Sequence, residues 1–239
     1  MNINQAVIIC GGLATRLGRK TKEIPKSLLK INRKPFLYYQ LKYLEKNNIE
    51  NVVLCTGNLH EKIFQFINQN KKKFNLNIFF SVEKKKLGTG GCIKNAINKL
   101  NDNFFVMYGD SYLRLDLYKM QKIYNLRKKK CLISIYKNNN IFYENNIFIK
   151  NNKIAEYDKK NKSYMKYIDY GVLIFEKNFF IKSSKNLRVF DLLIILKESI
   201  KKDLISFISV DHTFFEIGSH KGINDLKNYL SKSSIRYEN

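Results

Sequence analysis

The chain has 239 residues, of which 44% are hydrophobic, and a formal net charge of +24. This length and apolar content allow a substantial core and exclude wholesale disorder. No apolar run approaches membrane-spanning length, so we expect no membrane anchor. The first residues lack the charged and apolar regions of a secretion signal, which predicts a cytoplasmic protein.

The positive charge is spread along the chain in short lysine runs such as 71–73, 84–86 and 128–130. No aromatic-interleaved basic stripe accompanies it, so we predict no nucleic-acid partner, although such a field would attract phosphate-bearing small molecules. The four cysteines are far apart and form no C-x-x-C pair, a pattern typical of reduced core thiols: Cys10, Cys55, Cys92 and Cys131.

In the first half, short apolar runs alternate with longer amphipathic ones. The predicted strands are 6–10, 52–55, 78–80 and 104–107, and the predicted helices are 36–46, 60–67 and 90–100. Alternation of this kind predicts an α/β fold. We expect a single-domain, Rossmann-like mixed sheet, mostly parallel and flanked by helices.

The second half is less regular. Its predicted strands are 132–136, 141–149, 167–175 and 205–210, and its predicted helices are 190–199 and 223–230. There is no internal repeat and no linker rich in Pro, Gly or Ser. The simplest prediction is one domain over residues 1–239, with its halves meeting near residue 118.

A glycine-rich segment, GGLATRLG at 11–18, directly follows the first strand. Ligands collect beyond the carboxyl ends of strands in open α/β sheets, and glycines there let backbone N–H groups approach phosphate oxygens. Arg16 adds a charge that cannot be titrated away. The segment is neither a Walker A motif nor a dinucleotide-binding G-x-G-x-x-G. Downstream, Pro25 would fix the direction of Lys26.

The segments GGLATRLG at 11–18 and IPKSLLKINRKPFL at 24–37 closely resemble the N-terminal signature of sugar-1-phosphate nucleotidyltransferases. The resemblance continues at Glu83 with LGTGG at 87–91 and at YGD, 108–110. Weaker matches follow at 153–160, 169–171 and 215–219, in family order. Length and signature are similar to short bacterial guanylyltransferases for heptose or mannose 1-phosphate. A GT-A-like nucleotidyltransferase fold is therefore implied.

The resemblance implies a nucleotide-binding half over about 1–118, with the glycine-rich loop on the triphosphate and residues 88–90 against the base. The implied nucleotide-binding residues are Gly11, Gly12, Ala14, Thr15, Arg16, Glu83, Gly88, Thr89 and Gly90. An alternative for Thr89 is that it is the N-cap of a helix.

The implied catalytic residues are Arg16, Lys26 and Asp110. The implied cofactor is Mg²⁺, held by Asp110 and by Glu216. At position 216 the family usually has Asp, and the rival interpretation of Glu216 is a surface residue before a helix capped by Ser219.

The second half, about 119–239, would bind the sugar phosphate through Lys160, Asp169 and Gly171. Lys159 departs from the family, which has a carboxylate there for the sugar hydroxyls. This departure leaves the identity of the sugar open.

The implied reaction joins a nucleoside triphosphate to a sugar 1-phosphate and releases pyrophosphate, with GTP and a heptose or hexose 1-phosphate as candidate substrates. A cytidylyltransferase for phosphocholine or a polyol phosphate is the main alternative. A catalytically silent nucleotide sensor and a nucleic-acid-binding module are the other two. Assembly into a homo-oligomer is left open.

Overall fold

The computed structural model describes residues 2–12, 17, 23–138, 144–160 and 162–232. It is an α/β protein. The strands are β1 Gln5–Ile9, β2 Lys30–Ile31, β3 Lys34–Pro35, β4 Asn51–Thr56, β5 Asn77–Val82, β6 Asn103–Tyr108, β7 Ser111–Tyr112, β8 Cys131–Lys137, β9 Ile147–Lys150, β10 Lys153–Tyr157, β11 Tyr167–Glu176, β12 Ile205–Val210 and β13 Phe215–Glu216. The helices are α1 Phe36–Lys46, α2 His60–Asn70, α3 Gly88–Ala96, α4 Leu117–Arg127, α5 Lys177–Ser183, α6 Leu193–Lys201 and α7 His220–Lys232.

A nine-stranded mixed sheet forms the centre of the described part of the molecule. Strands β5, β4, β1 and β6 are neighbours in that order and run parallel. β11 then pairs antiparallel with β6 and with β8, and β12 runs parallel to β8. Two small sheets, β2–β3 and β7–β13, lie outside it. The predicted fold class is confirmed. β11 joins the second half to the same sheet as β6, so the sheet itself marks no boundary near residue 118. The division into two halves there stays a prediction.

The central strands are apolar on both faces because helices cover both sides of the sheet. Along β1, Ala6 and Ile8 pack into one buried cluster, and Val7 between them packs into the other. β4 divides in the same way, with Val52 in the first cluster and Val53 in the second. This alternation follows from the two-residue period of a strand. The parallel pairing of β1 with β6 places their carboxyl ends beside each other, with Ile9 opposite Tyr108.

Several predicted elements differ from those in the structure. The strand predicted at 141–149 is the shorter β9, Ile147–Lys150, and residues 139–143 lie outside the described part. The helix predicted from 190 begins at Leu193. Helices α4 and α5 and strand β10 of the central sheet were not predicted. All four cysteines are buried and free, as expected. Among the described residues, no helix has the length and apolar character needed to cross a membrane.

Candidate active site

Asp110 lies just beyond the carboxyl end of β6, beside the end of β1. The preceding residue, Gly109, donates its N–H to the carbonyl of Ile9 at 3.1 Å. A Cβ on Gly109 would lie 2.3 Å from that carbonyl oxygen, so only glycine permits this close crossing. The crossing turns the chain out of the sheet, and the Asp110 carboxylate remains 44% exposed.

The loop that carries Asp110 is held at both ends by one buried side chain. Gln40, on α1, donates its amide N–H groups to the carbonyls of Tyr108 at 2.9 Å and Ser111 at 3.2 Å. Gln40 is only 1% exposed. Buried carbonyls need hydrogen-bond partners, and this amide supplies them for both ends of the loop. The two bonds also hold the loop in one conformation. The sequence analysis did not select Gln40.

Lys26 reaches the same place from a short 3-10 turn at Lys26–Leu28, which follows Pro25. Its Nζ donates to Asp110 Oδ2 at 2.8 Å. The Lys26 side chain is 16% exposed, so the pair is largely shielded on the lysine side. Lys26 and Asp110 were both predicted catalytic residues, and the structure brings them into direct contact.

Glu216 approaches from the second half through the β13–β7 pairing, opposite Ser111. The backbone N–H of Ile217 donates to the Asp110 carbonyl at 3.0 Å. A Cβ on Gly218 would lie 2.7 Å from Glu216 Oε2 and 2.8 Å from Lys26 Nζ. Glu216, Lys26 and Asp110 therefore converge.

In this arrangement the Glu216 carboxylate is bound by its own chain. It accepts hydrogen bonds from the N–H of Gly218 and from the hydroxyl of Ser219. The Ser219 hydroxyl in turn accepts from the N–H of Gly222 at 3.0 Å, as expected of a residue that caps a helix. Ser219 therefore caps the helix, as the rival interpretation of Glu216 supposed, and Glu216 as a metal ligand stays a prediction.

Glu83 directly follows β5 and lies between two glycine-containing loops. A Cβ on either Gly11 or Gly57 would lie 2.9 Å from Glu83 Oε1. Its other oxygen, Oε2, accepts from the N–H of Leu87 at 2.9 Å. The two glycines thus leave room for a carboxylate that lines the same cavity as Gly12 and Asp110.

The glycines of the 87–91 turn are required by a segment from the second half. Gly88 has φ +80°, and a Cβ there would lie 2.5 Å from the Phe190 carbonyl oxygen. A Cβ on Gly90 would lie 2.2 Å from Phe190 Cε2. The N–H groups of Gly90 and Gly91 both donate to the Phe190 carbonyl, at 3.0 and 3.2 Å. The turn is therefore docked on Phe190.

Thr89 takes part in the same docking. Its Oγ1 accepts from the N–H of Leu192 at 2.8 Å. The residue before α3 is Leu87, and within the described part of the chain no side chain caps that helix. The alternative of Thr89 as N-cap is therefore wrong. Gly88 and Thr89 line the cavity, whereas Gly90 contacts Phe190 instead.

Asp169 is 9% exposed and its carboxylate is occupied by neighbours. Oδ2 accepts from the hydroxyls of Tyr157 at 2.9 Å and Tyr108 at 3.3 Å, and Oδ1 accepts from the Gly171 N–H at 2.8 Å. Burial raises the pKa of Asp169 to about 6, although these three hydrogen bonds oppose the shift. Burial and the nearby Asp169 raise the pKa of Tyr108, so this phenol stays protonated.

An Asp169→Asn variant should change how stability depends on pH. The pKa of Asp169 rises from 3.8 when unfolded to about 6 when folded. Below about pH 3 the proton is bound in both states. As pH rises the unfolded state ionises first, so the wild type loses about 3 kcal/mol of unfolding free energy by pH 7. The variant should not show this loss. Urea unfolding from pH 4 to 7 measures the difference.

Asp203→Asn is the matched control. Its ion pairs with Lys153 and Lys129 lower the pKa of Asp203, so its pH dependence should have the opposite sign. Parallel stability curves for the wild type and Asp169→Asn would contradict the raised pKa of Asp169.

Lys160, the predicted phosphate-binding residue, has an exposed side chain, and its backbone N–H donates to Asp158 Oδ1 at 3.1 Å. It does not line the cavity described above. Its neighbour Lys159 forms an ion pair with Asp191. The role of Lys160 toward the sugar phosphate stays a prediction.

The cavity at the ends of β1 and β6 also includes Ser27 and Tyr108, which the sequence analysis did not select. The buried Ser27 hydroxyl has no hydrogen-bond partner within the described residues. The only sequence indication of Ser27 was its place next to Lys26 in the matched segment at 24–37. Ala14, Thr15 and Arg16 lie outside the described residues, so their predicted triphosphate contacts stay predictions.

A family model described as nucleotidyl transferase matches residues 5–191. The chain belongs to this family. The match spans β1, the Lys26 turn, Glu83 and Asp110, which line one cavity, and also the buried Asp169, whereas Glu216 lies beyond the matched residues. Membership assigns the general reaction, transfer of a nucleotidyl group. Membership does not assign the nucleotide base or the acceptor of the nucleotidyl group.

Similar nucleotidyl transferases include the D-glycero-alpha-D-manno-heptose 1-phosphate guanylyltransferase of Aneurinibacillus thermoaerophilus. It is 30% identical over 232 residues, covering 95% of this chain and 100% of that protein. The Campylobacter jejuni protein of the same name is 36% identical over 137 residues, 57% of this chain and 59% of that protein. The structure of HddC from Yersinia pseudotuberculosis complexed with GMP-PN has a TM-score of 0.80 at 23% identity, covering 95% and 100% of the two chains.

Proposed function

We propose that this nucleotidyl transferase is a guanylyltransferase that joins GTP to a sugar 1-phosphate and releases pyrophosphate. Heptose 1-phosphate is the first candidate acceptor, because the two relatives above carry that name. The observation that carries the proposal is a single cavity lined by the Glu83 carboxylate and by the paired Lys26 and Asp110. The Glu83 carboxylate, which would bind the base, and the Lys26 ammonium, which would bind the phosphates, therefore line the same cavity.

The choice of guanine rests on hydrogen-bond complementarity with Glu83. An ionised carboxylate only accepts hydrogen bonds, and it offers about four acceptor sites. Leu87 N–H uses one of them, at 2.9 Å. The Watson–Crick edge of guanine presents two adjacent N–H donors, whereas uracil and thymine present one between two carbonyls. Two parallel bonds to guanine would therefore favour GTP.

Phosphate binding would fall to Lys26 and to the Gly11–Gly12 backbone, with Arg16 as the predicted contact to the departing pyrophosphate. In the free protein Lys26 donates to Asp110 at 2.8 Å. A triphosphate brings several negative charges into reach of the same ammonium. We infer that Lys26 exchanges Asp110 for phosphate oxygens, which leaves the Asp110 carboxylate available to a cation.

Mg²⁺ fits the donors at this place. Asp110 and Glu216 line one shared surface cavity, with Ser219 and His220. No cluster of three or more His, Cys, Asp or Glu side chains suited to a metal occurs within the described ranges. Two carboxylates suffice, since Mg²⁺ takes its remaining ligands from phosphate and water. When bound there, Mg²⁺ would neutralise charge on the phosphates.

The reaction needs no nucleophilic side chain. An oxygen of the sugar 1-phosphate, already anionic at neutral pH, forms a bond to the α-phosphorus of GTP while the bond to the pyrophosphate oxygen breaks. No general base is required. The barrier consists mainly of bringing two polyanions into line, so positioning and charge neutralisation by this chain's cations are the catalytic contribution.

A substrate panel with a Glu83→Gln variant tests the proposal. We expect pyrophosphate release with GTP to exceed that with ATP, CTP or UTP, and heptose 1-phosphate to exceed hexose 1-phosphates. Glutamine would place an amide donor against a guanine donor, so kcat/KM for GTP should fall about tenfold or more. The kcat/KM for UTP should fall less, because the uracil edge includes carbonyl acceptors for the glutamine N–H groups.

Glu45→Gln is the matched control, because its carboxylate also accepts a backbone N–H, from Asn75, at a site on α1. Its substrate preference should equal that of the wild type. Phosphocholine and a polyol phosphate belong in the panel. If CTP with either of these gives the highest rate, the non-sugar cytidylyltransferase is the correct alternative and the guanylyltransferase proposal fails.

A further inference from the structure

Tyr108 is the last residue of β6 and lines the cavity beside Asp110 and Thr89. Resting on the function proposed above, we propose that Tyr108 contacts the sugar ring and helps to determine which sugar is accepted. Asp169, Gly171 and Tyr157 would act through it as positioning residues.

The Asp169 carboxylate cannot reach a substrate itself. It is 9% exposed, and its two oxygens already accept from the Tyr157 hydroxyl, the Tyr108 hydroxyl and the Gly171 N–H. A carboxylate so covered presents nothing to the cavity directly. Of these three donors, only Tyr108 lines the cavity wall. Asp169 therefore influences a ligand there through the orientation of this phenol.

Gly171 supports Tyr108 from the adjacent strand. Its φ is +103°, and a Cβ at this position would lie 3.5 Å from Tyr108 Cδ2 and 3.5 Å from Ser111 Cβ. The bare backbone of β11 therefore runs along the ring of Tyr108. Ring packing on one side and a hydrogen bond from the hydroxyl on the other leave the phenol a single orientation.

The chemistry of a phenol held in this way selects a neutral, hydroxylated ligand. Its proton is committed to Asp169 at 3.3 Å, so the oxygen offers a lone pair that accepts from a sugar hydroxyl. Its ring offers a flat apolar surface to the C–H face of a pyranose.

A Tyr108→Phe variant tests the proposal. It keeps the ring and removes the acceptor, so the KM for the sugar 1-phosphate should rise about tenfold while the KM for GTP stays within twofold. Asp169→Asn should raise the same KM, because its amide would donate to the tyrosine oxygen and occupy the lone pair. Tyr124→Phe is the control: its hydroxyl bonds Asn103 at 2.8 Å outside the cavity, and both KM values should stay unchanged.

The outcomes separate this inference from the proposed function. If the wild type uses a sugar 1-phosphate and Tyr108→Phe leaves its KM unchanged, or raises both KM values equally, the role of Tyr108 is refuted and the function stands. If the wild type uses only acceptors without a sugar, such as phosphocholine, both proposals are refuted. Sugar 1-phosphates that each lack one hydroxyl can identify the contacted group. The contacted hydroxyl is the one whose removal raises the KM of the wild type as much as Tyr108→Phe raises the KM for the complete sugar.

Discussion

An Asp110→Asn variant is expected to fold normally and to lose turnover by about a thousandfold or more. The carboxylate is 44% exposed at the end of β6, so its removal disturbs no core packing. Two functions are lost together: the proposed anchor for a metal-bound triphosphate, and the partner that holds Lys26 at 2.8 Å. Amide oxygens are weaker ligands for Mg²⁺ and weaker acceptors for an ammonium group.

Pyrophosphate release at saturating GTP and increasing MgCl₂ measures this effect, with circular dichroism as the check on folding. Asp116→Asn is the matched control nearby: Asp116 accepts from Lys119 N–H at the start of α4, and asparagine caps helices equally well. The turnover of Glu216→Gln should lie between those of Asp110→Asn and Asp116→Asn, and its half-maximal rate should require more Mg²⁺ than that of the wild type. Near-wild-type turnover in a folded Asp110→Asn protein would remove Asp110 as the principal ligand.

A Gly88→Ala variant is expected to lose about 3–5 kcal/mol of unfolding free energy. The new methyl group would lie 2.5 Å from the Phe190 carbonyl oxygen, and φ is +80° at this position. Backbone cannot rotate aside as a side chain can, so the 87–91 turn and the 190–192 segment must separate. That movement would also break the hydrogen bonds from Gly90 and Gly91 to Phe190.

Urea denaturation of the wild type, Gly88→Ala and Gly12→Ala provides the comparison. Gly12 lines the same cavity, but no atom of the described residues lies within 4 Å of a Cβ built there. Gly12→Ala should therefore unfold within about 0.5 kcal/mol of the wild type. Equal stability of all three proteins would show that the turn tolerates a side chain and that its glycines serve the ligand alone.

Most strands of the central sheet were predictable because they are largely apolar runs bounded by turns, whereas β10, with the sequence KIAEY, was not predicted. The strand 205–210 matches β12, and 52–55 lies within β4. α4 was missed because apolar residues lie on its solvent side, with Tyr118 60% and Leu126 79% exposed, so no one-sided stripe marks the helix. α5 has seven residues, too few for a helical period to emerge.

The site was predictable where a motif is local, as with Lys26 and Asp110. It was not predictable where function depends on distant partners. Nothing near Gly90 in the sequence indicates Phe190, a hundred residues later, as the group that occupies the space of its missing side chain. Likewise, the hydrogen bond from Tyr108 to Asp169 joins residues 61 positions apart. Only the folded sheet makes them neighbours.

The pairing of β13 with β7 has a consequence for the order of assembly. Glu216 meets Ser111, and Ile217 donates to the Asp110 carbonyl, across more than a hundred residues of chain. Contacts so distant in sequence form late, because the intervening chain must first be ordered. During synthesis, at about 5–20 residues per second, the parallel strands β1, β4, β5 and β6 leave the ribosome before β13 exists. A nascent chain can therefore hold the parallel part of the sheet and still lack the assembled candidate site.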